Sequence, residues 1–386
     1  MDVLILNTAV MDLRGPDFGF TDRLAGAGGL AKCATADMPA YTPAQMTSWL
    51  AGGGVSAGGP GNTAPLLARA GLRVGVGAYL GAGALGGFDM PGKTFHDVLA
   101  AAGVDLSAIL AHPDLPTGMT FIHETPGHDR GGIAYFPNAN NAFDFEVFLP
   151  HVERLRPRIL YYMYSGLSDR GDANAGRDLA AFMRRCRELG CITIADSHTL
   201  CGNPQQRIRE GAPVDEYRLL LPLLPELDIF FTSSDEARMI VNTLDGPRKW
   251  DAFTSEENLE YYLAFIRARF VKPGARARLF GVTVKSGAMA SYFRPHAAAA
   301  VPAMVDSRFM GAGVVDLVGA GDSFRAGLVT YVARNAEAFQ AGELDVEEAI
   351  QMGNLMASLY IQSPLRDRYS AIRPYEELLG KVRAAG

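Results

Sequence analysis

Residues 315–324 read Val315-Asp316-Leu317-Val318-Gly319-Ala320-Gly321-Asp322-Ser323-Phe324, and they join a glycine-rich turn to an amphipathic run over 325–332. The step from a glycine-rich turn to a run with helical periodicity predicts that Gly319 to Gly321 are the first residues of a helix. Their N–H groups have no partner within the helix, and with the helix dipole they form a site for an anion such as phosphate. A carboxylate at Asp322 would repel an anion there unless it took part in the reaction. Asp322 is therefore a candidate base for a hydroxyl that attacks phosphorus. An ordinary turn with a capping aspartate is the alternative.

Length, charge and cysteine content restrict the class of protein. The 386 residues suffice for one large α/β domain with an appendage, or for two domains. The formal net charge is −6 without a long basic run, which argues against nucleic acid or a membrane as partner. The four cysteines form no Cys-x-x-Cys pair, so neither a zinc site nor a disulfide framework is predicted. Because no apolar run of about 18 residues and no signal-peptide pattern is present, we expect a cytoplasmic protein.

Short apolar runs alternate with helical runs along much of the chain. Val3 to Leu6 predicts a buried first strand, and the alternation becomes regular from Ile159 onward. This order indicates a mainly parallel sheet covered by helices on both faces. Residues 14–56 show no sustained period, so we expect an irregular excursion with one or two strands. The polar stretch 249–258 is predicted to be a surface insertion.

Two further strands are predicted to form a hairpin. They lie at 116–123 and 132–136, on either side of a polar turn. Together with part of residues 14–56 they suggest a small separate sheet that covers a substrate and excludes water.

A second glycine-rich stretch, Gly81-Ala82-Gly83-Ala84-Leu85-Gly86, matches the dinucleotide-binding pattern G-x-G-x-x-G. That motif should open directly into a helix. Here Phe88 to Gly92 separates the glycines from the helical run 93–102, so a flexible loop is the favoured interpretation. A nicotinamide-dependent enzyme is the alternative, and NAD binding would reveal it.

Several polar residues stand near strand ends, where parallel α/β sheets bind ligands. Asp12 follows the first strand, Glu236 lies one turn into a helix after an apolar strand, and Lys285 ends another strand. A solvated loop acid is the alternative for Asp12, and a favourable helix-start acid for Glu236. Asn62 could instead be the N-cap of its helix. Asn354, within a helical run, could be a hydrogen-bonded packing residue.

The order of these parts resembles the ribokinase-like (PfkB) carbohydrate kinase family, roughly from Leu4 to Pro374. The stretch 316–324 resembles the carboxyl-terminal signature of that family. Ala57-Gly58-Gly59-Pro60-Gly61-Asn62-Thr63-Ala64 is similar to its Gly-Gly-x-x-x-Asn signature, and 284–290 resembles its strand and turn near the nucleotide. The resemblance implies a three-layer α/β/α fold with a mainly parallel sheet. It also implies a single domain over 1–386 and a small β lid from 13–56 and 115–137.

The same resemblance implies an ATP-dependent kinase that transfers the γ-phosphoryl group to an alcohol, usually a hydroxymethyl group of a sugar or nucleoside. It implies ATP and Mg²⁺ as cofactors, K⁺ as a candidate, and a homodimer formed through the lid. The residues carried over are Asp322 as base; Gly319, Ala320 and Gly321 as anion hole; Asp12, Gly58, Gly59 and Asn62 for the substrate; Lys285, Gly287 and Asn354 for the nucleotide; Glu236 for Mg²⁺ through water; and Asp316 for a monovalent cation.

The sequence departs from the family pattern at several positions. Ala57 and Ala290 stand where glycine is usual, and Ser233 stands where asparagine is common. Arg325 lies one turn after Gly319 to Gly321, here called the anion turn, at a position where a small or apolar residue is commoner. These departures leave the choice between a sugar and a nucleoside open. A second hypothesis is a non-catalytic sugar- or nucleotide-binding protein on a decayed kinase scaffold.

Overall fold

The computed structural model has a mixed α/β architecture and describes residues 1–15, 18, 24–124, 130–272, 274–297, 302–311 and 313–386. Its strands are β1 (Val3–Leu6), β2 (Val10–Gly15), β3 (Leu30–Lys32), β4 (Val55–Gly58), β5 (Val74–Gly83), β6 (Gly87–Phe88), β7 (Asp105–His112), β8 (Gly118–Glu124), β9 (Arg130–Phe136), β10 (Ile159–Ser165), β11 (Ile192–Ser197), β12 (Ile229–Ser233), β13 (Arg278–Val284), β14 (Gly287–Phe293) and β15 (Ala303–Asp306). Its α-helices are α1 (Pro43–Gly52), α2 (Pro60–Arg69), α3 (Met90–Ala101), α4 (Phe145–Leu155), α5 (Arg177–Glu188), α6 (Pro204–Glu210), α7 (Leu220–Leu223), α8 (Ser234–Leu244), α9 (Ser255–Phe270), α10 (Ala320–Arg334), α11 (Ala336–Ala341), α12 (Val346–Ile361) and α13 (Tyr375–Ala384).

The central sheet is mainly parallel, as the alternating pattern predicted. Parallel pairing runs through β7, β5, β1, β10, β11, β12 and β13. The antiparallel strands β14 and β15 complete one edge, and the short β6 pairs with the end of β5. Every residue of β1, β10 and β11 is buried. Strands buried on both faces need helices on both sides, which gives the three layers.

A second, five-stranded sheet forms the lid over the carboxyl ends of the central strands. Its order is β3-β9-β8-β2-β4. The predicted hairpin is β8 and β9, which pair antiparallel. The sheet begins at Val10, three positions before the predicted lid boundary at residue 13, because β2 pairs with β4 from Val10 to Leu13. The single domain over 1–386 stays a prediction.

The prediction of an irregular excursion over 14–56 missed helix α1. Thr42 and Gln45 form a capping box, with a hydrogen bond from each backbone N–H to the other side chain. Pro43 takes the first helical position and Gly53 ends the helix with φ 79°. Only Met46 of the helix is buried, so its apolar periodicity is weak. The capping residues were the available signal.

The predicted surface insertion at 249–258 is only partly correct. Trp250 is buried, and its indole N–H donates to Asn242 Oδ1 at 2.9 Å. Helix α9 begins at Ser255 rather than at Leu259, because the Thr254 side chain caps it in a second capping box with Glu257. The stretch therefore anchors α9 against α8. None of the helices in the described residues is long and apolar enough to cross a bilayer.

Candidate active site

Two cavities meet at the amino terminus of α10. The first, here called the lid cavity, has a volume of about 390 Å³ and lies between lid residues such as Asp12 and the central sheet. The second, here called the outer cavity, has a volume of about 490 Å³ and is lined by Gly287 and Asn354. Leu317, Ala320, Gly321 and Lys285 line both. The anion turn therefore stands at the junction between two ligand-sized spaces.

The anion turn has the predicted form. Helix α10 starts at Ala320, and Gly319 is its N-cap with φ 87°. A side chain at Gly319 would approach the Tyr360 ring to 2.8 Å, so the turn requires glycine there. The Ala320 N–H donates to the Leu317 carbonyl at 3.1 Å, so the turn itself uses one of the three predicted donors. The amides of Gly319 and Gly321 meet no acceptor among the described residues, which leaves them for an anion.

Asp322 lies in the first turn of α10 and lines the lid cavity, although its side chain is only 6% exposed. Its Oδ2 accepts hydrogen bonds from Asn62 Nδ2 at 3.0 Å and from Tyr164 Oη at 2.6 Å. Its Oδ1 accepts from Arg325 Nη2 at 2.8 Å. These donors fix the carboxylate in one orientation at the wall of the lid cavity.

Asn62 is not an N-cap, so that alternative is wrong. Gly59 is the N-cap of α2, and Asn62 is the third helical residue, 2% exposed. Its amide lies between Asp322 and Tyr360, because Tyr360 Oη donates to Asn62 Oδ1 at 2.8 Å. One N–H of the Asn62 amide therefore orients the carboxylate, and the side chain also lines the lid cavity.

Asp12 is a strand residue of the lid rather than a solvated loop acid. It lies in β2, is 5% exposed, and accepts a short hydrogen bond from Thr120 Oγ1 on β8. Burial raises the pKa of Asp12, against the lowering effects of Arg14 and Thr120. A side chain at Gly58 would come within 2.4 Å of the Asp12 carboxylate. Gly58 thus lies behind Asp12 and makes room for it, while Asp12 lines the cavity.

Glu236 combines its predicted structural role with a place in the lid cavity. Its Oε2 accepts from Thr232 Oγ1 at 2.6 Å and from the Ser233 N–H at 2.9 Å, which completes a capping box on α8. Its Oε1 makes no hydrogen bond with the described residues. Among those residues no group of three His, Cys, Asp or Glu side chains could hold a metal ion. One free carboxylate oxygen suits a water of a Mg²⁺ hydration shell better than an all-protein cage.

The three residues predicted for the nucleotide all line the outer cavity. Lys285 is exposed at its mouth, and Asn354 is 7% exposed with Nδ2 3.3 Å from Gln351 Oε1. Gly287 also has a structural reason to be glycine. Its φ is 154°, and a side chain would meet the Val305 carbonyl of the neighbouring strand at 2.1 Å.

Asp316 lines neither cavity, because two buried arginines hold it. Arg14 from the lid strand β2 lies 3.1 Å from its Oδ2, and Arg368 makes a closer ion pair with the same oxygen. Arg368 also donates to the Val318 carbonyl at 2.6 Å. The guanidinium groups place positive charge on the loop before the anion turn. A monovalent cation at Asp316 stays a prediction.

The second glycine-rich stretch has a structural explanation. Strand β5 extends through Gly83, and α3 starts at Met90 with Asp89 as its N-cap. A side chain at Gly81 would come within 2.3 Å of the Asp89 carboxylate. That carboxylate accepts from the Thr117 N–H at 2.8 Å and from the Gly92 N–H at 2.8 Å. The protein's own acid therefore occupies the helix N-terminus where a pyrophosphate would bind. The predicted loop is thus a strand end.

The family profile of pfkB family carbohydrate kinases matches residues 46–367. The chain belongs to the pfkB carbohydrate kinase family. No curated protein matches the sequence. Solved structures with a similar fold include a probable sugar kinase from Rhizobium etli CFN 42 (19% identity, TM-score 0.64, covering 100% of this chain and 98% of that one). An adenosine kinase from Sinorhizobium meliloti shows 20% identity and a TM-score of 0.63, with 100% and 99% of the two chains covered.

A fructokinase with bound ATP from Xylella fastidiosa is similar at 19% identity with a TM-score of 0.64, over 99% of this chain and 98% of that one. The ribokinase-like fold is thereby confirmed, and so is the pfkB resemblance carried by the two signatures. At these identities the solved structures bear on the fold alone. Sugar kinases and nucleoside kinases both occur among them.

Sequence reasoning missed three residues of this pfkB site: Tyr164, Asp196 and Tyr360. Tyr164 and Asp196 stand at the carboxyl ends of β10 and β11, where the strand-end rule could have found them. Tyr164 also has φ 56°, an uncommon value for a non-glycine residue. Tyr360 sits in an ordinary apolar stretch of α12 and gave no local signal.

Proposed function

We propose that this pfkB protein is an ATP-dependent kinase that transfers the γ-phosphoryl group to a hydroxyl, most simply a hydroxymethyl, of a sugar or related polyol. The observation that carries the proposal is the position of Asp322. Its carboxylate lines the lid cavity in the first turn of α10, next to Ala320 and Gly321, which line both the lid cavity and the outer cavity. An acceptor in the first and ATP in the second would meet there.

The chemistry of the residues supports in-line phosphoryl transfer. The acceptor hydroxyl donates to Asp322, whose carboxylate takes the proton as the new oxygen–phosphorus bond forms and the bond to ADP breaks. The free amides of Gly319 and Gly321 stabilise the charge that develops on the phosphoryl oxygens. Bound Mg²⁺ supplies charge neutralisation of the phosphates, and Glu236 would hold its hydration shell. Asp12 and Asn62 would bind the other hydroxyls of the acceptor. Lys285, Gly287 and Asn354 would line the nucleotide-binding site in the outer cavity.

The charges of the lid cavity favour a neutral acceptor. Its described lining residues include two side chains with a permanent positive charge, Lys285, which the outer cavity shares, and Arg325, which is paired with two carboxylates; His198 also lines the cavity. The described lining residues therefore offer a sugar acid or sugar phosphate no unpaired lysine or arginine on the lid side. The negative group of such an acceptor would instead lie near Asp12.

One observation favours a nucleoside as a second candidate acceptor. The lid side of the cavity carries a wall of buried aliphatic side chains, with Tyr135 beside it. The wall consists of Leu30, Ile122, Ile133 and Leu167. Free sugars present hydroxyls on most of their surface, whereas a nucleobase is flat and largely apolar on its faces. The wall therefore suits an acceptor with a ring attached to its polyol.

An ATP-consumption screen tests the function. It should cover pentoses, hexoses, keto-deoxy sugar acids and nucleosides, each with and without K⁺. We expect turnover with a neutral sugar or a nucleoside and none with the sugar acids. Failure with the whole panel would favour the non-catalytic binding protein. Calorimetry with NAD should show no binding. Binding would instead favour the alternative that the protein is a nicotinamide-dependent enzyme.

The variant Asp322→Asn tests the proposed base. We expect kcat to fall by about 10²- to 10⁴-fold, because a positioned base contributes that much to a proton transfer. ATP binding should persist, since the outer cavity is lined by other residues. The control Glu337→Gln changes an exposed acid beyond the end of α10 and should keep full activity. An Asp322→Asn enzyme with most of its activity would contradict the assignment.

Two further parts of the proposal concern context. All four cysteines are free thiols, which fits the cytoplasm. The edge strands of the lid are β3 and β4, and the Leu30 N–H of β3 already donates to the Cys201 carbonyl, so a homodimer would pair β4 with a second copy. Light scattering of the purified protein measures the assembly directly.

A further inference from the structure

Arg325 lies one turn after Asp322 on α10 and bridges two buried carboxylates. Its Nη2 donates to Asp322 Oδ1 at 2.8 Å, and its Nε lies 2.9 Å from Asp196 Oδ2. The side chains are 11% exposed for Arg325, 6% for Asp322 and 0% for Asp196. The three groups therefore form a buried ionic triad with two negative charges and one positive charge.

Asp196 anchors the triad to the central sheet. It lies near the end of β11, where its Oδ1 accepts from the Tyr164 N–H at 2.7 Å. Its Oδ2 accepts from Tyr161 Oη at 3.0 Å as well as facing Arg325. Burial raises the pKa of Asp196 to about 6, against the lowering effects of Arg325 and of the Tyr164 N–H. The anchor is rigid because β10, β11 and α10 all contribute to it.

The hydrogen bonds of Asp322 show where an acceptor can donate. Oδ2 already accepts from Asn62 and from Tyr164, which fills its two lone-pair directions. Oδ1 accepts from Arg325 only, so one direction is free. The oxygen that can take the acceptor's proton is thus the one that Arg325 holds.

We propose that Arg325 and Asp196 act as a positioning pair for Asp322, in which Arg325 fixes the reactive oxygen and Asp196 keeps that oxygen basic. The inference rests on the proposed kinase function. In the reaction the acceptor's O–H proton moves to Asp322 Oδ1, its oxygen bonds the γ-phosphorus, and the phosphorus–oxygen bond to ADP breaks. The triad passes from a net charge of −1 to neutrality.

The second acid explains why an arginine beside the base does not disable it. A guanidinium next to a carboxylate disfavours protonation of that carboxylate. The negative charge of Asp196 partly offsets the effect of the Arg325 guanidinium on Asp322. Arg325 can therefore orient the Asp322 carboxylate while the carboxylate stays basic enough to accept a proton.

Charged and titratable groups near Asp322 influence how readily it takes up a proton. Asp12 faces it from the lid, Arg325 and Asp196 form the triad, and three tyrosines approach it from β10 and α12. Those tyrosines are Tyr161, Tyr164 and Tyr360. None of the three ionises in the acid range, because burial raises the pKa of each. The acid limb of a pH–rate profile therefore reports on the carboxylates and on His198, which lines the lid cavity and lies edge-to-face against Tyr164.

Two substitutions should move that acid limb in opposite directions. Arg325→Met removes the cation, so Asp322 attracts protons more strongly and the acid limb of kcat/KM moves to higher pH, by about one unit or more. Asp196→Asn removes the competing anion, so the limb moves to lower pH and kcat falls because the base is weaker. Arg325→Lys keeps the charge and should lie between the wild type and Arg325→Met.

Arg334→Met is the matched control, because it removes an exposed arginine from the far end of the same helix. Its pH profile should equal that of the wild type. A merely structural triad predicts lower thermal stability with unshifted profiles, or shifts in the same direction for both substitutions. Either outcome would overturn the proposal.

A carbon NMR titration of the aspartate carboxyl groups gives the same answer without turnover. The titration midpoint of Asp322 should rise in Arg325→Met and fall in Asp196→Asn. Midpoints equal to that of the wild type would contradict the inference. If the wild type phosphorylates nothing, the proposed function fails while the NMR titration still decides the coupling. The two failures are therefore distinguishable.

Discussion

At the scale of single residues, the site depends on positions where a side chain is absent. Gly59 has φ 56° and ψ −123°, and a Cβ there would lie 2.1 Å from the Thr8 carbonyl. This contact allows the end of β1 to approach the start of α2. The approach in turn places Asn62 against Asp322. A glycine of the amino-terminal signature thus helps to position Asp322 through the backbone.

Gly59→Ala should destabilise the protein more than the substitution of another glycine that also has a positive φ. We expect the backbone strain alone to cost about 1–3 kcal/mol, with the contact to Thr8 in addition. Gly103→Ala is the control, because Gly103 has φ 75° and open space around it, so its cost should be about 1 kcal/mol. Urea unfolding of both variants measures the difference. Equal losses would show that the backbone contact is unimportant.

At the scale of elements, the loop before α10 is held from two directions. Arg14 reaches Asp316 from lid strand β2, and Arg368 reaches it from the segment after α12. The Arg368 guanidinium also lies 4.6 Å from the centre of the Tyr360 ring, in cation–π geometry. Tyr360 in turn donates to Asn62. The loop, the lid and the helix that carries Tyr360 therefore share one buried ionic cluster.

Removal of Arg368 should cost stability. Arg368→Met leaves Asp316 with Arg14 alone and takes a buried partner from the Val318 carbonyl, so we expect a loss of about 3–5 kcal/mol in unfolding free energy. The control Arg366→Met changes an exposed arginine two positions earlier and should cost less than about 1 kcal/mol. Denaturant unfolding compares the two. Similar losses would mean that the buried cluster adds nothing.

At the scale of the whole molecule, the lid is joined to the central domain along the edge at β3. The Leu30 N–H donates to the Cys201 carbonyl at 2.9 Å, and the Gly26 N–H donates to the Gly202 carbonyl at 2.8 Å. A side chain at Gly29 would come within 2.0 Å of the same Gly202 oxygen. The closed position of the lid therefore depends on backbone contact between two distant segments.

Gly29→Ala should push this edge of the lid away from the sheet. We expect a higher KM for the acceptor and more ATP hydrolysis without acceptor, because water then reaches the junction of the cavities. Gly52→Ala is the control, since Gly52 has open space around it and ends the exposed helix α1. Steady-state kinetics with and without acceptor separates the two effects. Unchanged kinetics in Gly29→Ala would mean that the contact does not hold the lid closed.

Local patterns in the sequence determined the elements and the chemical parts. The glycine-rich turn with its aspartate, the parallel alternation and the hairpin all follow from neighbouring residues, whose backbone preferences and periodicity act over a few positions. The sequence-based prediction missed helix α1 because the apolar periodicity of the helix is weak, although its capping residues were present. The family signatures supplied the candidate roles, and the fold that they implied is confirmed.

Only the tertiary structure decided how those parts meet. Asn62 and Asp322 are 260 residues apart, and Tyr164 and Asp322 are 158 apart, yet each pair forms a hydrogen bond. The sequence marked Arg325 as unusual, but its partner Asp196 comes from a different strand. Such contacts depend on how the sheet orders its strands and how the lid closes, which no local period encodes. The sequence thus determined which candidate base and which glycine-rich turn are present, and the packing decided which residues hold them.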